Sequence, residues 1–174
     1  MNVPGIEDLV VGQSREAASR MYGKYRGIVS DVNDPDGMGR LKAKVDALHG
    51  NETDWALPVA PFAGSGHGLV LIPEVGDGVW VEFEAGDMNR PLWTGGWGAS
   101  GAMPPDAGTK KRALVTSNGH KLILNEDGGI FQLKHAGGAE ITMTNADITI
   151  KIGTAQIVLS SAGVNVNNGA LTVL

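Results

Sequence analysis

The stretch Glu140–Val166, EITMTNADITIKIGTAQIVLSSAGVNV, decides the fold. Apolar residues alternate with their neighbours in four short runs: Ile141 and Met143, Ile148 and Ile150, Ile157 and Leu159, Val164 and Val166. A period of two marks half-buried β-strands. Asn145, Gly153 and Gly163 interrupt the runs with residues that suit turns. The same grammar extends upstream to Lys121–Leu124 and Ile130–Lys134 and downstream to Ala170–Val173. Asn118-Gly119, Asp127-Gly128-Gly129, Gly137-Gly138 and Asn168-Gly169 supply the intervening turns. Short strands in this regular rhythm indicate a sandwich or a β-solenoid.

The second side of each strand chooses between them. Leu122, Leu124, Ile141, Met143, Ile148, Ile150, Ile157, Leu159, Val164 and Val166 form one apolar side, about two residues per strand. The opposite positions are mostly Thr, Asn, Lys, Gln and Ser, so no second apolar face awaits a covering sheet. Two inward side chains per strand bury too little to order a lone chain. The missing burial is expected from copies of the same chain: an intertwined, trimeric β-helix (a β-prism) over residues 115–174. Such an assembly also removes exposed strand edges.

Outward from this stretch, residues 99–114 are rich in Pro and Gly and read as a connector, ending in Lys110-Lys111-Arg112. Residues 23–98 again read as strands. Tyr25–Val29 leads through the turn Asn33-Asp34-Pro35-Asp36-Gly37 into Arg40–Val45. There Leu41, Ala43 and Val45 share one side and Arg40, Lys42 and Lys44 the other. Trp55–Ala60 follows, with Pro58 placing it at an edge or bulge. Leu69–Ile72, Gly78–Glu84 and Pro91–Trp97 complete the series. Five or six short strands without a helical pattern predict a small closed barrel of the OB type. Residues 1–22 form a lead-in arm, in which Ser14 caps a short helix over Arg15–Met21.

Composition narrows the chemistry. The chain of 174 residues has no cysteine, which excludes disulfides and thiolate metal sites. No apolar run reaches the ~18 residues of a membrane span, and no secretory leader is visible at the N-terminus. Residues 1–100 carry 8 Lys/Arg against 14 Asp/Glu, and the remainder 6 against 5. Neither half has the basic footprint of a nucleic-acid binder.

The segments Tyr25–Val45 (YRGIVSDVNDPDGMGRLKAKV), Trp55–Gly64 (WALPVAPFAG), Leu71–Trp97 (LIPEVGDGVWVEFEAGDMNRPLWTGGW) and Ser117–Gly129 (SNGHKLILNEDGG) resemble the central spike proteins of contractile phage tails and related injection systems, of the VgrG and baseplate-assembly-V type. The resemblance implies a homotrimer assembled in the bacterial cytoplasm and carried in a virion tail or injection particle. Its OB domains would dock on baseplate hub and tube proteins, through Trp80, Trp93 and Trp97 as candidates. Its β-helix would point at the target-cell envelope and pierce it when the sheath contracts. The connector leaves no room for the lysozyme domain of some relatives. The histidines are His49, His67, His120 and His135, with none in the last 39 residues. The His-x-His motif behind an apical iron is therefore missing, and no cofactor is expected. The chain ends instead in Leu171, Val173 and Leu174, which in three copies would form an apolar end face for a PAAR-type tip protein.

Several constellations suggest other chemistry and are declined. Asp31, Asp34 and Asp36 lack the spacing of a calcium loop. Ser65 and His67 among glycines lack the strand-to-helix setting of a nucleophile elbow. Glu82 and Glu84 share a strand face at glycosidase spacing, but without an aromatic groove. The four tryptophans could stack bases, yet the acidic balance of that half opposes it. No catalytic or metal-binding residue is expected. The competing reading is an OB-fold module that binds carbohydrate or nucleic acid, carried on a β-rich stalk.

Overall fold

The computed structural model describes residues 20–173, in two compact units that divide between Ala99 and Ser100. Most of the arm and its expected helix lie outside the described residues. The helix's last two positions are not helical. The Met21 N–H donates to the Gly86 carbonyl (3.0 Å), and Arg20 Nη1 donates to the Ala85 carbonyl (3.1 Å).

The first unit contains β1 (Tyr25–Asp31), β2 (Lys42–Val45), β3 (Leu57–Pro58), β4 (Ala63–Gly64), β5 (His67–Gly68), β6 (Gly78–Phe83) and β7 (Pro91–Gly96). Five of these form one sheet in the order β2-β1-β6-β7-β3. The sheet closes on itself where Ala56 and Leu41 exchange backbone hydrogen bonds of 2.8 and 3.2 Å. The alternation read at Leu41, Ala43 and Val45 puts all three inside, with Val29, Ala56, Val79, Val81, Phe83 and Trp93. Pro58 lies in β3, whose two residues run parallel to β7, a short pairing that tolerates a missing donor.

One expected strand is absent. Leu69–Ile72 forms no ladder, because β3 and β2 already close the barrel and leave it no edge to join. The chain instead turns back earlier, in the two-residue hairpin β4–β5, with Gly66 at φ 73°. The sequence reading saw strand composition correctly but could not see that the barrel had no vacancy.

Two local devices fix the barrel. A Cβ on Gly78 would stand 2.4 Å from the Trp97 carbonyl oxygen and 2.7 Å from its ring. Only glycine lets the indole lie down there, where its N–H donates to the carbonyls of Gly27 (3.1 Å) and Val79 (3.2 Å). The second device is Asp34 in the β1–β2 connection. Its carboxylate accepts from the backbone N–H groups of Asp36, Met38 and Arg40 and from Arg40 Nε and Nη2. The Arg40 guanidinium, followed by these N–H groups, holds the Asp34 carboxyl well below the usual carboxylate range. The aspartates that hinted at a calcium loop thus form a turn network, with Arg40 also bridging to Asp36.

The second unit contains β8 (Lys111–Val115), β9 (Lys121–Asn125), β10 (Ile130–Lys134), β11 (Glu140–Met143), β12 (Asp147–Ile152), β13 (Ala155–Ser160), β14 (Gly163–Val166) and β15 (Leu171–Val173). They make a single antiparallel sheet in strict chain order. Every strand bonds to its sequence neighbour, so the ladder requires no strand from another copy. β8 begins inside the stretch read as connector. Its basic residues hid it in the sequence; in the structure Arg112 pairs with Glu126 across the β8–β9 hairpin, and Lys110 Nζ lies 3.7 Å from Asp127.

Gly78→Ala is expected to destabilise the barrel by about 1–3 kcal/mol, the usual cost of overpacking, in chemical denaturation. Gly108→Ala, where a Cβ meets nothing within 4 Å, serves as the silent control. Asp34→Asn is expected to lower the barrel's melting temperature by several degrees at neutral pH. A carboxylate whose pKa is depressed by folding stabilises above its unfolded value and loses that contribution as pH falls. The gap between the two proteins therefore narrows below about pH 4, as followed by circular dichroism.

Candidate functional site

Residues directly paired across an antiparallel ladder point to the same face, so the register of β8–β15 assigns every side chain. One rung line reads Leu114, Leu122, Leu133, Ile141, Ile150, Ile157, Val166, Leu171. Two residues along each strand, a parallel line reads Arg112, Leu124, Phe131, Met143, Ile148, Leu159, Val164, Val173 on the same face. All ten residues expected in a trimer core therefore share one face of one sheet. The intervening positions, such as Lys121, Lys134, Glu140, Lys151, Thr142 and Thr149, occupy the other.

Within this unit, no described residue covers the apolar face. Among the described residues of this unit, Ile123 is the one buried side chain, and it lies on the opposite face. Eleven large apolar side chains of the two lines and their margin, from Leu114 to Val173, are 37–64 % exposed. The face is concave, with a groove of about 860 Å³ running along it. Single exposed apolar residues are ordinary, whereas a contiguous stripe spanning a whole sheet marks an interaction surface.

The register adds residues that the sequence reading missed. Leu114 falls in the stretch read as connector, and Phe131 and Leu133, which pair with Leu124 and Leu122, join the face while Ile130 on the same strand points the other way. His120 and His135 continue the apolar face at its margin, two positions beyond Leu122 and Leu133. Their rings lie 4.4 Å apart, and each Nδ1 accepts a backbone N–H, from Ala136 and Gly137 respectively. No compositional signal marks such a pair, since it arises from cross-strand register alone.

The expected end face needs revision. Leu171 and Val173 point to the same side as the core lines, as the last rung of the stripe, and Leu174 lies outside the described residues. What the sheet presents at this end is the unpaired edge of β15.

The tryptophan candidates divide. Trp93 is withdrawn as a docking residue: its ring is buried in the barrel core, and its Nε1–H donates to the Gly39 carbonyl (3.2 Å). Trp80 and Trp97 are half-buried, with the Arg26 guanidinium 5.7 and 5.1 Å from their ring centroids. Trp55 is covered in the same way by Arg40 and Lys42. The declined constellations are tied up locally. Glu82 pairs with Lys24, and Glu84 pairs with Arg90 at 2.6 Å. His67 Nδ1 lies 3.1 Å from the Ser65 backbone carbonyl oxygen, not its hydroxyl.

Comparison with known families divides the chain at the same place. Residues 25–97 match a family described as the type VI secretion system/phage-baseplate injector OB domain. Residues 111–172 match the phage baseplate V C-terminal trimerisation domain. Together the two matches cover more than three quarters of the chain. No curated protein matches it closely enough to count as a relative.

Ile150→Asp places a carboxylate in the middle of the apolar stripe, where covering it would strand an unpaired charge. It is expected to disperse the assembly into single chains in light scattering. Thr149→Asp, one residue away on the wet face, is expected to leave the mass unchanged.

Proposed function

This chain belongs to the phage-baseplate V family of injector proteins, and from that premise we propose that it is the homotrimeric central spike of a contractile tail or injection machine. The single observation that carries the reading is the one-layer sheet whose apolar face, lined by Leu, Ile, Val, Met and Phe, has no cover among the described residues of its unit. Three copies turn these faces towards a common axis and fill it with Ile, Leu, Val and Met side chains, as a triangular β-prism. Eight strands at ~4.8 Å spacing give the stack a length of roughly 34 Å.

The role is mechanical. When the sheath contracts, the spike is driven against the target-cell envelope and must not yield. Load along the stack falls on seven successive backbone ladders per copy and on a dry axial core. Such an assembly fails only when many contacts break together, which makes it kinetically resistant. Both matched families are structural baseplate modules, and the reading calls for no catalysis.

Docking follows the division of labour. The barrel seats on hub and tube proteins, and the half-exposed Trp80 and Trp97, held by Arg26, suit that contact, since aromatic residues and arginine are favoured at interfaces. At the far end, the unpaired β15 edges of three copies invite a cover, and a conical tip protein of the PAAR type suits a threefold end. The particle assembles in the bacterial cytoplasm. The rival binding module finds less support, because the tryptophan faces that bases or sugars would stack on are already occupied by cationic side chains or buried.

Purified chain is expected to show three times its monomer mass in light scattering and to run as a trimer in SDS without boiling. A monomer that melts readily and retains an oligonucleotide or glycan would overturn the spike. Co-expression with a PAAR-type protein encoded beside the same baseplate is expected to yield a stable complex; failure to capture it would remove the tip while leaving the spike.

A further inference from the structure

Arg26 stands unmatched in a barrel rich in acids. Lys24 pairs with Glu82, Arg40 with Asp34 and Asp36, Lys42 with Glu52, and Arg90 with Glu84. Arg26 is exposed and makes no hydrogen bond or ion pair with any described residue, although residues 1–100 carry 14 Asp/Glu against 8 Lys/Arg. Past Val45 the chain leaves the β1–β2 ladder for a 3-10 turn at Asp46–Leu48, so no acid stands across that ladder from Arg26. Its contacts are aromatic instead: the guanidinium lies 5.7 and 5.1 Å from the ring centroids of Trp80 and Trp97.

The fold holds this group in place. Gly27, Val79 and Val81 point into the barrel, so Arg26 and Trp80, paired across β1 and β6, face outwards. Trp97 is anchored by the two carbonyls that accept from its N–H. A guanidinium resting on two fixed rings has already lost much of the rotamer freedom that binding removes. Contact with a ring face uses its charge but takes none of its five N–H donors. Ile28, 41 % exposed, lies two residues along on the same face, and its ladder partner Lys44 is exposed and also without an ion pair among the described residues. Glu52, bridged to Lys44, is already engaged by Ser30 and Lys42.

The donors select the ligand. A planar fork of N–H groups matches an oxyanion, either carboxylate or phosphate. A nucleic acid would bring a run of phosphates to an acidic barrel, and Arg26 and Lys44 are too few cations to hold it. A lone carboxylate set among apolar side chains is matched by Arg26, with Ile28 and the indoles as margin.

We propose that Arg26 anchors the docking face by taking an Asp or Glu carboxylate of the protein on which the barrel seats. The proposal rests on the docking reading above. Trp80 and Trp97 then act chiefly as the support that positions the guanidinium.

The test uses the full-length protein, its assembly mass verified, and the hub protein encoded beside the same baseplate. Arg26→Gln is expected to weaken their binding by at least about tenfold. Arg90→Gln, the same loss of charge elsewhere on the barrel, is expected to change it less than about twofold. Arg26→Lys supplies an amine at the same place. Carbodiimide coupling is then expected to join position 26 to an Asp or Glu of the hub protein, as read by mass spectrometry. Arg26→Gln that binds like the unaltered protein overturns the carboxylate contact and leaves docking through the barrel standing. Absence of coupling at position 26 does the same, and decides the matter if Arg26→Gln also lowers the barrel's melting temperature. An oligonucleotide retained by the unaltered protein and released by Arg26→Gln would assign the guanidinium to phosphate and overturn the proposal. A hub protein that does not bind the unaltered chain overturns the docking reading and this contact with it.

Discussion

A single β-sheet has two faces, and only one of them can be left in water if the other is lined by Leu, Ile and Val. That constraint governs the second half of this chain. In most domains a helix or a second sheet from the same chain covers the apolar face. Here all eight strands are spent on one layer, and the one buried side chain among its described residues is on the wrong face to help. The family to which the chain belongs resolves the conflict by trimerisation. Fold and assembly are then one event, since the sheet has no core until its copies arrive.

The barrel answers a different requirement. Its core is closed within one chain, and its precision comes from features independent of assembly: Trp97 lying on Gly78 and Asp34 gathering five N–H donors from its own turn. The unit is thus built to hold a surface in a fixed shape. The barrel thus completes its core within one chain, whereas the sheet of the second unit leaves an apolar face for its copies to cover.

Much of this was legible in the sequence, for identifiable reasons. The seven strands from Lys121 onward are legible because their turns carry Gly or Asn and most of their apolar residues recur at every second position. Leu41, Ala43 and Val45 were equally plain. What escaped depended on neighbours distant in sequence. β8 looked like a linker because its basic residues are matched by Glu126 and Asp127 in the next turn, which composition cannot pair. Trp93 has the look of a surface anchor in the sequence, because burial of an indole depends on which carbonyl its N–H meets. Leu69–Ile72 had the composition of a strand, and only barrel closure denied it a place. The His120–His135 pair exists through cross-strand register alone.

The polar face of the sheet is built to stay in water. Along one rung line, Lys121, Lys134, Glu140 and Lys151 follow one another, with Lys134 and Glu140 3.8 Å apart. Charges packed at rung spacing keep that face hydrated and leave the apolar face as the one suited to association. The two edges of the sheet are treated unequally. β8 presents Lys111 and Arg112, both exposed, and basic residues are a standard defence of an open edge. β15 consists of Leu171, Thr172 and Val173 and carries no charge at all. The two edges of the described sheet thus differ in charge, and only the basic one is guarded against pairing with a further strand.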